Sequence, residues 1–355
     1  MLALGLMSGT SLDGVDAALV VTDGETVERL GVSLTVPYSP VRRDSLRSVL
    51  GGAGEVAAVE RDITIFHAEV VGRLLARAGV AASEVGLIGF HGHTILHRPD
   101  QRRTWQIGDG ALLAALTGIA VVNDFRSDDV AAGGQGAPLV PVYHRALATG
   151  LDVPVAVLNL GGVGNVTWIG TDGGLLAFDT GPGNALIDDW ALIHTGRPVD
   201  EGGRLAAGGC IDAAAVAAFA GHPYFDRTPP KSLDRDDFGV FAGGLVRSLT
   251  VGDGAATLTA FTAVAVARAA RHFPAPVGRW LVCGGGRHNP RIMAALRAEL
   301  GAVVEPVEAV GWDGDAMEAQ AFAFLAVRSS RGLPITFPET TGCNAPLSGG
   351  RHHRA

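Results

Sequence analysis

The chain has 355 residues, 47% of them hydrophobic and 18% charged, so it is long and apolar enough for two lobes that each bury a core. The formal net charge is −8 at pH 7, whereas proteins that bind nucleic acid or anionic membranes usually carry a positively charged surface. We therefore expect neither partner. The three cysteines have no C-x-x-C spacing, which is typical of reduced thiols in a cytoplasm and predicts no zinc site.

The first predicted element is a hairpin with a small polar turn. Apolar residues run over 2–7 and 15–21, and Ser8-Gly9-Thr10-Ser11 lies between them, which predicts strand, turn, strand. The N–H groups and hydroxyls of such a turn suit a phosphate chain, and a carboxylate beside phosphates, Asp13, suggests Mg²⁺ held directly or through water. An ordinary hairpin with solvated acids is the alternative. The interrupted apolar run, with no preceding Lys or Arg, predicts neither a signal peptide nor a membrane anchor.

The next segments predict strands and helices in alternation. Residues 27–37 predict a third strand, and residues 56–78 predict a helix, since their apolar residues share one face and Gly79 follows where a C-cap glycine belongs. Residues 87–90 predict a short strand that delivers His91-Gly92-His93-Thr94 at its carboxyl end, and residues 119–122 predict another that ends before Asn123 to Arg126. Polar groups at two strand ends favour a ligand site. For the histidines, sugar or phosphate contacts are favoured over a metal. The stretch 131–141, rich in glycine and proline, is predicted to cross between the lobes.

The second half repeats the opening pattern. Residues 155–160 and 166–169 predict strands around the turn 161–165, and residues 280–283 predict a strand that a glycine run separates from a helix over 289–300. The glycine turns suggest two lobes that clasp one phosphate chain, with the last turn at a helix N-terminus. No Walker or Rossmann glycine motif is present, which disfavours both of those nucleotide folds.

Two acidic residues of the second half are candidates for chemistry. Asp179 is predicted to end a strand just before the helix at 185–194, where a carboxylate can act as general base on a water or hydroxyl. The alternative is an Asp that stabilises its own Gly-Pro-Gly turn. Glu318 lies three residues after Asp315, a spacing that predicts a capping box for a helix over 315–329. Residues 334–355 are predicted to be irregular, with a mobile end.

Seven segments, in order along nearly the whole chain, together resemble the anhydro-N-acetylmuramic acid kinase family. They are residues 5–16 (GLMSGTSLDGVD), 89–99 (GFHGHTILHRP), 107–114 (IGDGALLA), 124–141 (DFRSDDVAAGGQGAPLVP), 159–165 (NLGGVGN), 178–190 (FDTGPGNALIDDW) and 284–290 (GGGRHNP). The resemblance implies the α/β fold of the sugar kinase, Hsp70 and actin superfamily. In this two-lobed, ribonuclease H-like fold, each lobe is a mixed sheet flanked by helices, with a cleft between them. The expected lobes are 1–133 and 134–355, with the last helix packing back on the first lobe.

The function that the resemblance implies is an ATP-dependent kinase of cell-wall recycling in the cytoplasm. It opens the 1,6-anhydro ring of 1,6-anhydro-N-acetylmuramic acid and phosphorylates O6, giving N-acetylmuramic acid 6-phosphate and ADP. Asp179 matches the family's catalytic aspartate. Glu318 matches an acidic residue of the sugar site, and both this role and the capping role remain open. Thr94, Arg126 and His91 match substrate contacts. The ATP-binding residues implied are Gly9, Thr10, Ser11, Leu12, Asp13, Gly14, Val15, Asp16, Gly161, Gly162, Gly164, Asn165, Gly284, Gly285 and Gly286.

Mg²⁺ is expected to bridge the ATP phosphates, and the resemblance alone suggests a homodimer. The resemblance has one departure, since the family usually has Gln at the position of His93. Both residues can donate a hydrogen bond, but a histidine can change the sugar contact or the pH dependence at this position. The alternative functions are another amino-sugar kinase acting on a free hydroxyl and a non-enzymatic ATP-driven module. The module would need polymerisation surfaces or a peptide-binding domain, and we expect the chain to lack room for the latter.

Overall fold

Two β-sheets organise the chain in the computed structural model, which describes residues 1–355. The strands are β1 (Leu2–Ser8), β2 (Gly14–Thr22), β3 (Val27–Pro37), β4 (Leu87–Arg98), β5 (Arg103–Ile107), β6 (Val121–Asn123), β7 (Val155–Leu160), β8 (Val163–Ile169), β9 (Leu175–Pro182), β10 (Arg279–Cys283), β11 (Val303–Pro306) and β12 (Arg351–His353).

Helices cover both sheets. They are α1 (Pro40–Ser48), α2 (Val56–Ala78), α3 (Gly110–Thr117), α4 (Ser127–Ala131), α5 (Pro141–Leu147), α6 (Ala185–Thr195), α7 (Arg204–Ala207), α8 (Ala213–Ala220), α9 (Gly239–Val246), α10 (Val251–Ala270), α11 (Pro290–Leu300), α12 (Met317–Ser330) and α13 (Pro338–Thr341). None of them is both long and apolar enough to span a membrane.

Five strands of each sheet follow the same order. In the first, the path is β3-β2-β1-β4-β6-β12, with β5 paired to β4; in the second it is β9-β8-β7-β10-β11. In each sheet the first three strands are an antiparallel meander, and the next two run parallel to the innermost strand of that meander. The repeat predicted from the glycine turns is therefore a repeat of sheet topology, and the predicted two-lobed α/β class is confirmed.

Each sheet belongs to a separate unit of the chain. Unit 1 comprises residues 1–150 and 316–355, and unit 2 comprises residues 151–315. The predicted boundary at 133/134 differs from this division, because residues 134–150 are bound within unit 1. Gln135 N–H donates to the Thr341 carbonyl at 2.7 Å, and the Tyr143 hydroxyl donates to Gln320 Oε1 at 3.0 Å. The stretch 131–141 is thus a loop inside unit 1 rather than a crossing.

Helix α12 packs directly on the first sheet over two glycines. Gly5 of β1 and Gly89 of β4 are register partners, and α12 contacts both strands. A Cβ at Gly5 would overlap the Ala319 carbonyl oxygen, and a Cβ at Gly89 would overlap the Phe322 carbonyl oxygen. The absence of side chains at these two positions lets the helix backbone approach the sheet closely, which fixes the place of every residue on α12.

Several predicted bounds are wrong for identifiable reasons. Strand β4 continues through His91–Thr94 to Arg98, because its second half pairs antiparallel with β5. Strand β9 likewise continues through Asp179 to Pro182. The end of the chain is ordered as β12, which pairs antiparallel with β6, where His353 Nε2 and Asn123 Oδ1 are 2.9 Å apart. Single-strand patterns do not reveal such pairings, since they depend on the partner.

Candidate functional site

The turn between β1 and β2 presents exposed polar groups around one strained residue. Gly9 would meet no atom closer than 3.6 Å if it carried a Cβ, so packing within the protein does not require glycine there. Leu12 is buried and has φ +62°, a conformation that is unfavourable for a non-glycine residue and that recurs at functional sites. Its N–H donates to the Gly9 carbonyl at 3.1 Å. The geometry leaves open space beside Gly9 for a ligand.

The glycines of the two turns in unit 2 are of two kinds. A Cβ at Gly164 would lie 2.7 Å from Thr180 Oγ1, and a Cβ at Gly286 would lie 2.6 Å from Leu160 Cβ. Internal packing therefore requires glycine at both positions. Gly161, Gly162 and Gly285 meet nothing closer than 3.6 Å. Neither packing nor φ requires glycine at these three positions, so both turns leave room for a ligand to approach the backbone.

Gly284 joins strand β10 to the turn at the start of α11. It has φ +73°, and a Cβ there would overlap the Asn159 amide oxygen. The Asn184 amide lies beside the same turn and donates to the Leu160 carbonyl at 3.1 Å. Its Oδ1 is buried without a hydrogen-bond partner. An unused acceptor next to open glycines is a ready contact for a hydroxyl or amine of a ligand.

The two acidic residues of the first hairpin differ in their engagement. Asp16 accepts a hydrogen bond from the Thr35 hydroxyl at 2.6 Å across the β2–β3 pair. Asp13 is exposed and its carboxylate makes no hydrogen bond or ion pair. No group of three or more His, Cys, Asp or Glu side chains is close enough to hold a metal ion. A single exposed carboxylate beside a turn fits Mg²⁺, which keeps most of its waters and uses few protein ligands.

Asp179 is held from three directions by residues 224–233. Its N–H donates to the Lys231 carbonyl at 3.0 Å, and its carbonyl accepts from the Tyr224 hydroxyl at 2.6 Å. Its carboxylate Oδ2 accepts from the Leu233 N–H at 2.9 Å. The Gly-Pro-Gly turn instead closes through backbone bonds, since Gly183 and Asn184 donate to the carbonyls of residues 162 and 161. The side chain therefore does not stabilise its own turn, which leaves the carboxylate for chemistry.

Burial raises the pKa of Asp179 to about 7, and the charge of Asp234 acts in the same direction. The Leu233 N–H opposes both effects, because it stabilises the ionised form. A carboxyl group with a pKa near 7 exchanges protons close to neutral pH, which is the property required of a general base. Asn165, its register partner on β8, and Asn159, the register partner of Asn165 on β7, continue a polar row across the second sheet.

In unit 1, the partly buried Arg126 contacts the buried His91, and the contacts define the protonation of the histidine. The Arg126 Nε and Nη2 lie 3.2 and 3.0 Å from His91 Nε2, and His91 Nδ1 lies 2.9 Å from the Gly92 carbonyl. Because a guanidinium only donates and a carbonyl only accepts, the histidine is neutral with its proton on Nδ1. Burial, followed by the Arg126 charge, lowers the pKa of His91 well below its usual value.

Arg126 retains hydrogen-bonding capacity after its protein contacts are made. Its Nη1 donates to the Gly136 carbonyl at 2.6 Å, which leaves two of the five N–H groups of a guanidinium for a substrate. Burial lowers the pKa of Arg126 to about 10, whereas the Glu318 and Asp129 charges raise it. Thr94, the other predicted substrate contact, accepts a hydrogen bond from Gln106 Nε2 at 3.1 Å and remains partly exposed.

Glu318 does not cap its helix, so the predicted capping box is wrong. Helix α12 begins at Met317 after the N-cap residue Ala316, which supplies no side-chain cap. Asp315 belongs to unit 2, where its carboxylate accepts from Arg287 Nη2 at 2.8 Å. The Arg287 guanidinium competes for the carboxylate that the sequence pattern assigned to the cap. Burial raises the pKa of Glu318, and the Arg126 charge opposes that shift.

His93 is fully buried behind the first hairpin rather than exposed to a ligand. Its Nδ1 lies 2.8 Å from the Ser8 hydroxyl, which in turn lies 2.7 Å from the Tyr38 hydroxyl. Burial lowers the pKa of His93 to about 4, so the imidazole is neutral at pH 7. The His93 side chain therefore contacts Ser8 and introduces no charge.

Sequence reasoning missed the residues that hold Asp179. Tyr224 and Leu233 lie in the polar segment 222–236, which the sequence predicts only as a long functional loop, and Lys231 lies between them. Two of the three bonds to Asp179 involve a backbone group of this segment, which carries no sequence signal. The one available sign is a lysine within a run of prolines and acidic residues.

Comparisons with known proteins give one consistent result. The family model described as anhydro-N-acetylmuramic acid kinase matches residues 1–354. The chain is 70% identical over 353 residues to the protein named anhydro-N-acetylmuramic acid kinase from Paramagnetospirillum magneticum, covering 99% of both chains. It is 60% identical to the protein of the same name from Rhodospirillum rubrum, covering 99% of this chain and 93% of the relative.

Solved structures also resemble this chain in fold, and one example has a bound nucleotide analogue. This example is the activator of the 2-hydroxyisocaproyl-CoA dehydratase from Clostridium difficile with bound ADPNP, with a TM-score of 0.50 and 13% identity. The match covers 93% of this chain and 96% of that one. At this identity the likeness concerns the arrangement of strands and helices alone.

Proposed function

The chain belongs to the anhydro-N-acetylmuramic acid kinase family and is a phosphotransferase, and on that premise we propose that it couples hydrolysis of an anhydro sugar to phosphoryl transfer. The substrate is 1,6-anhydro-N-acetylmuramic acid, and the products are N-acetylmuramic acid 6-phosphate and ADP. The observation that carries the proposal is Asp179, a carboxylate held by the Leu233 N–H at 2.9 Å with a pKa raised to about 7.

The substrate explains why a base is needed. The anhydro sugar has no free 6-hydroxyl, because O6 is bonded to C1. Asp179 takes a proton from water as the water oxygen attacks C1, and the C1–O6 bond breaks. O6 then attacks the γ-phosphorus of ATP, the bond to the β,γ-bridging oxygen breaks, and ADP leaves. The proton on Asp179 returns to solvent.

The remaining predicted residues bind and orient the two substrates. The glycine turns at residues 9–16, 161–165 and 284–286 hold ATP, supported by the open space beside Gly9, Gly161, Gly162 and Gly285. Arg126, through its two uncommitted N–H groups, and Thr94 and Glu318 bind the sugar, while His91 orients Arg126. Mg²⁺, which Asp13 is placed to hold directly or through water, would offset charge on the transferred phosphoryl group when bound.

The function is tested with ATP and the anhydro sugar in ¹⁸O-labelled water. We expect one label per product molecule, at C1, and none in the bond between O6 and phosphorus. Unlabelled N-acetylmuramic acid 6-phosphate kept in the same water for the same time measures exchange at C1. Product without label above that control contradicts the coupled mechanism. Phosphorylation of N-acetylmuramic acid or N-acetylglucosamine, with no turnover of the anhydro sugar, identifies a kinase acting on a free hydroxyl instead.

Gly162→Ala tests the ATP-binding role of the second turn. The nearest atom to a new Cβ is Ala185 Cβ at 3.7 Å, so the fold tolerates the methyl group and Tm should change little. A bound phosphate would not tolerate it, and we expect KM for ATP to rise about tenfold, equivalent to ~1.4 kcal/mol. KM for the sugar serves as the internal control. An unchanged KM for ATP would remove Gly162 from the site.

Glu318→Gln tests the sugar-binding role that remains after the cap is excluded. A neutral amide of the same size loses the charge near Arg126, so we expect kcat/KM for the sugar to fall about tenfold or more, with Tm nearly unchanged. Asp315→Asn is the matched control, because its carboxylate pairs with Arg287 and not with the helix. Equal kinetic effects of the two substitutions would contradict a direct role for Glu318.

A further inference from the structure

Lys231 is a buried lysine whose ammonium has no carboxylate partner. The residue is 9% exposed, and its Nζ donates to the Tyr224 carbonyl at 3.1 Å and the Phe225 carbonyl at 3.3 Å. It also lies 4.7 Å from the centre of the Tyr224 ring and 5.6 Å from that of Phe178. An ammonium held by carbonyls and ring faces, with no carboxylate within ion-pair distance, gains less from its surroundings than a direct ion pair, so its burial calls for a further reason.

The third polar neighbour of Lys231 does not accept a hydrogen bond from it. His272 Nε2 is 3.4 Å from the lysine Nζ and 2.9 Å from the Phe225 carbonyl. Since a carbonyl only accepts, His272 donates through Nε2, and that nitrogen has no lone pair in the ring plane left for the ammonium. The two carbonyls of residues 224 and 225 are therefore the anchors of Lys231.

The segment that Lys231 joins together is also the segment that holds Asp179. Tyr224 donates its hydroxyl to the Asp179 carbonyl, and Lys231 accepts the Asp179 N–H on its own carbonyl. Two residues further, Leu233 N–H reaches Oδ2 of Asp179 at 2.9 Å. The Lys231 side chain thus ties residues 224–225 to residues 231–233 and closes a loop around the aspartate.

We propose that Lys231 is a positioning residue for Asp179, which fixes the segment whose Leu233 N–H holds the carboxylate. The expected effect on the pKa of Asp179 follows from the structure, whereas the expected effect on kcat/KM rests on the proposed function. The ionisable groups facing Asp179 are Asp234 and Tyr224, and those facing Lys231 are Asp226, Arg227 and His272. Burial lowers the pKa of Lys231 to about 8, so the ammonium is charged at pH 7.

Lys231→Met tests the proposal, because methionine fills the space without a donor. Loss of the Leu233 hydrogen bond removes an interaction that favours the ionised carboxylate, so the pKa of Asp179 should rise by about one unit. The midpoint is measured by ¹³C NMR of labelled aspartate carboxyls in the protein without substrate, with Asp179→Asn assigning the resonance. The acid limb of kcat/KM should move to higher pH by the same amount, with KM for ATP unchanged.

Three further variants define the result. Lys231→Arg keeps a cation with several donors and should restore a midpoint close to the unsubstituted protein. Arg227→Met removes a nearby exposed cation that lies over the Tyr224 ring and should leave the midpoint unchanged. Lys231→Gln, a neutral donor, should give an intermediate shift and replaces Lys231→Met if that variant does not fold.

The NMR arm separates this proposal from the function itself. An unshifted Asp179 midpoint in folded Lys231→Met overturns the positioning role, whatever the activity. Failure of both neutral variants to fold overturns it too, since Lys231 would then serve stability. A shifted midpoint without any turnover of the anhydro sugar supports the positioning role while contradicting the proposed function.

Discussion

Asp179→Asn is expected to lower kcat by about 10³-fold, the usual effect of removing a general base. The amide keeps an oxygen that can accept the Leu233 N–H, so the segment around residue 179 should remain in place. It cannot take a proton from water, and the attack on C1 loses its base. Turnover is measured with ATP and the anhydro sugar, and ATP affinity by calorimetry, where we expect no more than a small change.

The pH profile gives the same prediction a second readout. Because burial raises the pKa of Asp179 to about 7, the base is increasingly protonated below that pH. We expect kcat/KM to rise with pH through about 7 and then level on this limb, and the limb should vanish from the residual activity of Asp179→Asn.

Asp152→Asn is the matched control for Asp179→Asn. It makes the same chemical change at an exposed residue ahead of β7 and should leave kcat and the pH limb unchanged. Full turnover by Asp179→Asn, with its folding verified, would show that another residue activates the water.

Gly89→Ala is expected to lower the free energy of unfolding by at least about 3 kcal/mol, at the upper end for overpacking. The new methyl group would overlap the Phe322 carbonyl oxygen, which belongs to a helix backbone and cannot rotate away. Helix α12 would have to shift off β1 and β4 and carry Glu318 with it. We therefore expect Tm to fall by about 10 °C and kcat/KM for the sugar to fall as well.

Gly72→Ala is the matched control for this prediction. It introduces the same methyl group in the interior of α2, where a Cβ would meet nothing within 4 Å. Alanine favours helix over glycine by about 0.5–1 kcal/mol, so Tm should stay or rise. Equal Tm values for the two variants would mean that the first sheet tolerates a displaced α12.

Local patterns predicted the elements whose signals are complete within one segment. The helix over 56–78 has the predicted bounds, because its apolar face and its C-cap glycine, Gly79, both lie in the segment. The glycine turns and their flanking strands also lie close to the predicted positions. Elements that depend on a distant partner were mispredicted, as for β4, which β5 extends, and Asp315, which Arg287 diverts from the helix start.

The candidate site shows the same division. Asp179 stands out in the sequence because it precedes a glycine turn, and its family motif is long. The hydrogen bonds that hold Asp179 cannot be recognised in the sequence. They come from the backbone of Lys231 and Leu233 and from the Tyr224 hydroxyl, and Tyr224 is 45 residues away in the chain. A sequence pattern records side chains, whereas these contacts depend on where the backbone of another segment passes.

The division of unit 1 into two pieces has a consequence for synthesis on the ribosome. Residues 151–315 form one continuous unit, whereas the first sheet needs α12, whose residues emerge only after that unit is made. The paired glycines Gly5 and Gly89 leave a bare strip of sheet until then. Unit 2 should thus be able to fold on the nascent chain before unit 1 is complete, and the sheet that is translated first should be the last to gain protection from protease.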